Sequence, residues 1–211
     1  MRKTLNRQEA VRVLDALRQA YPDAGCALKH MDVFELLICV VLSAQTTDKS
    51  VNNVSPSLFA RYPDAASLAA ADPAEVEDII RTIGMYRTKA RNIIALAKIL
   101  TERYGGEVPG DFDTLVSLPG VGRKTANVVL AEGFGEQHIA VDTHVFRVSN
   151  RIGLVDAKDV LATEEGLMKK LPHDRWTEAH HSIIFHGRNR CIARRPDCEN
   201  CEIRDICMKR I

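Results

Sequence analysis

Several things are scarce in this sequence, and each scarcity closes a class of reading. Its 29 basic and 28 acidic residues leave a formal net charge of +1, so bulk charge does not mark a nucleic-acid binder. No apolar run reaches the roughly 18 residues that a membrane span needs, so no membrane partner is expected. The opening MRKTLNRQEA lacks the apolar stretch of a secretory signal, which predicts a cytoplasmic chain. Aromatic residues make up only 5%, and the single tryptophan, Trp176, reads as core. Strand-like alternation, internal repeats and low-complexity linkers are all absent. A P-loop is excluded, because neither its preceding strand nor its G-x4-G-K-[ST] spacing is present. The 211 residues, 45% of them hydrophobic, suit one large domain or two small ones, and any boundary must fall in a tight turn.

The pattern that is present is helical. Val76, Ile79, Ile80 and Ile83 recur at helical spacing behind Asp72-Pro73-Ala74-Glu75, which offers an N-cap, a proline at the first helical position and a glutamate at the third. Ile93, Ile94, Leu96, Ala97 and Leu100 line a second face, and Leu14, Leu17 and Tyr21 line an N-terminal one. Breaks fall at residues 21–25, 61–64, Gly105-Gly106, 133–135 and Leu171-Pro172.

Cysteines are few, but four of the six crowd the C-terminus as C-x6-C-x2-C-x5-C: Cys191, Cys198, Cys201 and Cys207. Four thiols in one small loop can form two disulfides, hold a tetrahedral zinc or hold a cubane iron–sulfur cluster. Disulfides are not needed in a reducing compartment by a chain of this size. Zinc sites usually pair two C-x2-C turns, whereas only Cys198 and Cys201 form one here. Unequal loops favour a 4Fe–4S cluster, with zinc the remaining alternative. Arg194 and Arg195 sit inside the first cysteine loop, where they read either as a solvated surface or as phosphate contacts.

A second informative run is Leu118-Pro119-Gly120-Val121-Gly122-Arg123-Lys124-Thr125-Ala126. Two glycines around one apolar residue make a tight hairpin, with a short helix expected from about Asp111 to Ser117 before it and an apolar helix after it. Backbone N–H groups and the positive end of the second helix then offer a sequence-independent phosphate site. An ordinary glycine turn is the plainer reading. Lys124 lies at the helix start and reads either as a solvated or phosphate-contacting surface lysine or, if the positive helix end and a dry cleft disfavour its ammonium, as a reactive amine. Asp142, in Val141-Asp142-Thr143-His144-Val145, opens another helix and reads either as an N-cap or as a carboxylate facing Lys124.

Together these residues resemble the endonuclease III family, the helix–hairpin–helix DNA glycosylases that carry an iron–sulfur cluster. The resemblance runs almost end to end, through residues 42–48 (Leu-Ser-Ala-Gln-Thr-Thr-Asp), 82–86 (Thr-Ile-Gly-Met-Tyr), the hairpin with Lys124, residues 141–144 and the cysteine loop. It implies an all-α fold in two lobes. One is a six-helix bundle over residues 25–136, and the other joins residues 1–24 to residues 137–211 and carries the 4Fe–4S cluster on the four cysteines. Double-stranded DNA with a damaged base or abasic site would lie across the cleft between them, bound by a monomeric, nucleoid-associated enzyme.

The implied activity is bifunctional: removal of damaged, oxidised pyrimidines in base excision repair, then strand nicking by β-elimination. Lys124 would attack C1′ of a flipped nucleotide to give a Schiff base, and Asp142 would stabilise the charge developing on the sugar. Gln45 matches the family's plug for the gap. Met85 stands where the family usually has leucine, as a wedge between bases. Asp48 matches a support near the lysine and also reads as a helix cap. Gly120, Gly122, Arg123, Thr125, His144, Arg194 and Arg195 would contact DNA, with orientation of Asp142 the alternative role for His144. His180, His181 and His186 read as structural. Alternatives are a pyrimidine-dimer glycosylase of the same fold and a non-catalytic DNA-binding module with structural zinc. An adenine-excising relative fits less well, because such enzymes lack the lysine and carry an extra domain.

Overall fold

A computed structural model describes residues 3–211. Every regular element among them is helical: α1 (Arg7–Ala20), α2 (Val33–Ser43), α3 (Asp48–Arg61), α4 (Ala65–Ala69), α5 (Pro73–Ile79), α6 (Tyr86–Tyr104), α7 (Phe112–Ser117), α8 (Arg123–Phe134), α9 (Thr143–Ile152), α10 (Val160–Lys170) and α11 (Trp176–Asn189), with a 3-10 turn at His173–Arg175. Local chemistry sets most helix starts. Asn6, Asp32, Thr47, Asp64, Asp72, Asp111, Asp142 and Asp159 each accept a backbone N–H at the head of a helix, a cap stabilising by about 1 kcal/mol. The starts of α6, α8 and α11 have no such side-chain cap. None of the described helices is long and apolar enough to cross a membrane.

The chain divides into two compact units, Ala27–Gly135 and the remainder, residues up to Cys26 with Glu136–Ile211. The first holds seven helices, α2 to α8, where the resemblance implies six; α4 is a single short turn of five residues. Its centre is α2, buried on every side from Leu36 to Leu42. A β-carbon at Gly133, late in α8, would meet Val33 at 2.9 Å, at the start of α2. One at Gly120, just before α8, would meet Val41, near the end of α2, at 3.1 Å. The two helices therefore run antiparallel, and Gly133 sits inside α8 as a close-packing residue rather than as a break.

Two local expectations in this unit are corrected. The apolar series Val76–Ile83 is not one helix: α5 ends at Ile79, Ile80 is its C-cap, and Ile83 is buried from the following turn. Glu75 does not close a capping box either. It accepts from Arg61 Nε at 2.6 Å and from the Tyr62 hydroxyl at 2.7 Å, fastening α5 to the end of α3.

The second unit packs α9 against α11, with α1 and α10 alongside, around Leu14, Leu17, Val145, Val148, Ile152 and Ile183. Tyr21 lies one residue beyond α1 as its C-cap, and its ring packs edge-on to His186. Trp176 is partly buried against the same core and donates to the Leu171 carbonyl at 3.3 Å.

Candidate functional site

Three helix ends meet at one end of the Ala27–Gly135 unit. Gly120 is held between Val41, near the end of α2, and Asn92, in the second turn of α6; β-carbon positions there lie 3.1 Å from each. The end of α2, the start of α6 and the start of α8 are therefore neighbours, and they carry Gln45, Met85 and Lys124. Asn92 has no signal in the sequence; only the packing identifies it as the floor of the hairpin.

The hairpin closes through the Val121 N–H donating to the Leu118 carbonyl at 3.1 Å. Gly120 adopts φ +80° in a confined space, so glycine is required there by backbone and packing together. Gly122, the N-cap of α8, has φ −100° and nothing within 4 Å of a β-carbon position. Neither conformation nor internal packing demands glycine there. What its small size leaves is open room over an uncapped helix start, suited to close approach of an external anion. Lys124 is exposed at the second position of α8. The dry surroundings expected for it are not supplied by the structure around that helix start. Arg123 lies over the Phe112 ring at 4.9 Å, and Thr125 is buried, which leaves its backbone as the part able to meet a phosphate.

Gln45 and Met85 share an unusual backbone state. Among described residues only Gln45 (φ 53°), Met85 (φ 58°), Arg195 (φ 55°) and Lys209 (φ 50°) are non-glycine residues with positive φ. The left-handed region costs such residues about 1–2 kcal/mol, and it clusters at functional positions. Three of the four were singled out from the sequence for contacts with DNA. Met85 is also 53% exposed, a long apolar side chain left in solvent at the head of an uncapped helix. Asp48 is not the cap of α3; Thr47 is, accepting from the Ser50 N–H, and Asp48 is the first helical residue, half-buried.

In the other unit, Asp142 is the N-cap of α9, one carboxylate oxygen accepting from the Val145 N–H at 2.8 Å. The cap reading thus holds geometrically, through one of the two carboxylate oxygens. His144 does not bond Asp142. Its Nδ1 lies 3.3 Å from Arg147 Nη2, and the ring packs over Gly187. Arg147 Nη2 also donates to the carbonyls of Gly187 and Cys191, at 2.9 and 3.2 Å. One turn later Arg151 donates to the carbonyls of Ile192 and Ala193 at 2.7 and 2.8 Å. Helix α9 therefore carries Asp142 at its head and grips the first cysteine loop with two arginines. Their four-residue spacing was visible in the sequence, but not their targets.

Across the C-terminal segment the basic residues divide. Arg190 is spent internally, pairing with Asp197 at 2.6 Å and Glu202 at 3.0 Å. Arg204 pairs with Asp205 and Arg210 with Asp156. Arg194 and Arg195 stay exposed. All four loop cysteines are unbridged, partly buried and gathered on one small cavity together with Ile152 and His186. Burial pushes the thiols of Cys201 and Cys207 up, backbone N–H groups at Ile203 and Lys209 pull the other way, and smaller upward pushes come from Glu202 on Cys201 and from the neighbouring sulfurs on both. N–H donors also reach sulfur, from Lys209 to Cys207 at 3.3 Å and from Arg151 to Cys191 at 3.9 Å. Four converging sulfurs with apolar cover and N–H···S donors fit an iron–sulfur cluster, whose positive iron offsets the mutual repulsion of the thiolates.

Comparison with known proteins agrees with this geometry. Residues 38–173 match the HhH-GPD superfamily of base excision DNA repair proteins, and residues 191–207 match the iron–sulfur binding domain of endonuclease III. The second match decides against zinc. Endonuclease III of Bacillus subtilis is 48% identical over 96% of this chain and 93% of its own length. That of Escherichia coli K12 is 45% identical, covering 96% of each. A solved structure of a trapped endonuclease III–DNA covalent intermediate superposes with a TM-score of 0.92 at 48% identity, covering 97% of both chains. The chain belongs to the endonuclease III family: it is a helix–hairpin–helix DNA glycosylase and abasic-site lyase of base excision repair that carries a 4Fe–4S cluster.

Proposed function

We propose that Lys124 is the nucleophile of this enzyme and that the end of the Ala27–Gly135 unit holding Gln45, Met85 and the hairpin is where it opens double-stranded DNA. The observation that carries this reading is the convergence of an exposed lysine at an uncapped helix start with two exposed residues in strained backbone conformations. The hairpin and the head of α8 hold a phosphate, Met85 enters the base stack, and Gln45 fills the gap opposite the displaced nucleotide.

The chemistry follows from the groups. A free lysine of pKa about 10.4 is roughly a thousandfold short of neutral amine near neutral pH. Because Lys124 is exposed in the free enzyme, closure of DNA over it supplies the dehydration that favours the amine. The amine attacks C1′, and the glycosidic bond breaks with its electron pair leaving on the base. Asp142 stabilises the positive charge developing on the sugar through the oxygen not used in capping α9, and it moves protons between sugar and leaving base. Opening of the sugar ring leaves an iminium on C1′. That group acidifies C2′, whose proton departs as the 3′ C–O bond breaks and the phosphate leaves. The cluster takes no part in these bonds; held by Cys191, Cys198, Cys201 and Cys207, it would cross-link the loop that presents Arg194 and Arg195 to the DNA backbone. Oxidised pyrimidines are the proposed substrates, acted on by a monomer at the nucleoid. The units 25–136 and 1–24 with 137–211 are the proposed domains.

Turnover of duplexes carrying one oxidised pyrimidine, one oxidised purine or one pyrimidine dimer tests the assignment. Oxidised pyrimidines should be released fastest, with release lost in Lys124→Gln while binding is retained. Preferential release of dimers would overturn the substrate assignment, and undiminished release by Lys124→Gln would overturn the nucleophile.

A further inference from the structure

Lys89 is a buried charge that the chemistry above does not use. It lies in the first turn of α6 with 4% of its surface exposed, too enclosed to meet a DNA phosphate itself. A lysine is seldom buried this deeply without a partner of opposite charge, yet no ion pair reaches it among the described residues. Its one side-chain hydrogen bond runs from Nζ to Thr46 Oγ1 at 2.7 Å. Burial lowers its pKa.

Both ends of Lys89 hold the opening apparatus. Its backbone N–H donates to the Met85 carbonyl at 3.0 Å, closing the first turn behind the wedge. Its ammonium holds the hydroxyl next in sequence to Gln45. The Thr46 N–H in turn donates to the Ser43 carbonyl at 3.0 Å, completing the turn in which Gln45 stands. The two turns lie side by side: a β-carbon at Gly84, just before Met85, would sit 3.9 Å from both the Gln45 carbonyl and Thr46 Oγ1. Each turn holds a residue in the left-handed region, a state that persists only where its surroundings fix it.

We propose that Lys89 is a positioning residue that locks the Gln45 turn to the Met85 turn, so that plug and wedge enter the duplex as one rigid device. This rests on the roles assigned to Gln45 and Met85. It sets Lys89 apart from a residue that only supports the fold, because a locking role is felt where unstacking is costly and not where the lesion is already unpaired.

The test uses full-length, cluster-containing enzyme and single-turnover release of one 5,6-saturated thymine. The base is placed either opposite adenine or opposite a reduced abasic site, where nothing pairs with it. Lys89→Met and Thr46→Val should each slow release from the paired duplex by about tenfold and from the unpaired one by less than about twofold, and the double variant should be no slower than either alone. Thr46→Ser, which keeps the hydroxyl, should restore the paired rate. Equal losses on both substrates, or additive losses in the double variant, would overturn the proposal. If Lys89→Met lowers the melting temperature sharply, the comparison of Thr46→Val with Thr46→Ser decides alone. Gln45→Ala and Met85→Ala run beside them. If these two lose activity equally on both duplexes, the plug-and-wedge reading itself fails; if they lose it only on the paired duplex while Lys89→Met does not, only the locking role fails.

Discussion

Two glycines of the hairpin ask opposite things of the chain. Gly120 is needed by the fold, with its left-handed φ and a β-carbon position 3.1 Å from Val41 and Asn92. Gly120→Ala should therefore lower the melting temperature, at a cost of about 1–3 kcal/mol. Gly122→Ala should leave melting nearly unchanged, because its surroundings are open, and should instead weaken binding to any duplex. Thermal melts paired with DNA titrations check both; a Gly122→Ala protein that melts early but binds normally would reverse the assignment. Asp142 separates in the same way. Asn caps helices as well as Asp, so Asp142→Asn should alter stability by no more than a few tenths of a kcal/mol. The same change should slow base release strongly while sparing cleavage of a pre-formed abasic site, as gel assays on the two substrates would reveal. The helix starts that bear Lys124 and Asp142 were legible in the sequence, because glycine spacing and caps are written locally. The left-handed state of Gln45 and Met85 was not, since no residue type there announces positive φ. Nor was the buried bond of Lys89, which joins positions 43 residues apart.

Helix α9 links the proposed chemistry to the cluster. Asp142 heads it, and Arg147 and Arg151 bind carbonyls at Gly187, in the last turn of α11, and at Cys191, Ile192 and Ala193 at the start of the first cysteine loop. Arg151→Met should loosen that loop and speed the loss of visible absorption when the protein is treated with an iron chelator. An unchanged rate would show that the cysteines alone hold the loop. Arg194 and Arg195, exposed within it, should contribute to affinity through phosphate only. Changing both to Ala should weaken binding on all duplexes alike and flatten its salt dependence by about one to two units of slope. A shift in lesion preference at constant slope would contradict that role. At this scale the sequence announced helix ends better than helix partners. The breaks before Pro22, Pro63 and Pro172 and at Gly105 coincide with real helix ends. The apolar run from Val76 to Ile83, by contrast, hid the end of α5, because Ile80 and Ile83 are buried from outside the helix and periodicity cannot tell the two cases apart. Glu75 misled for a related reason: a distant Arg61 and Tyr62 outcompeted the local cap.

Taken whole, the chain places the proposed nucleophile in a contiguous unit and the cluster cysteines in one assembled from both termini, with α1 packed on α11. The all-α class was legible throughout, from helical periodicity and the lack of alternation. The cluster was legible as a choice among three uses of four cysteines, which the match to an iron–sulfur domain resolved. Packing of α1 against a helix more than 150 residues later left no trace in local pattern. Removal of iron should therefore raise amide exchange first in residues 136–211, with Ala27–Gly135 staying protected; simultaneous loss of protection in both would mean that the cluster holds the entire chain together. The central claim remains that one exposed lysine at an uncapped helix start forms the bond to DNA. The most direct test is borohydride reduction during turnover of an abasic duplex, followed by proteolysis and mass spectrometry of the trapped adduct. The sugar should be found on the peptide containing Lys124 and nowhere else, and Lys124→Gln should yield no adduct; a sugar on another lysine or on the terminal amine, or an adduct that survives Lys124→Gln, would contradict the account.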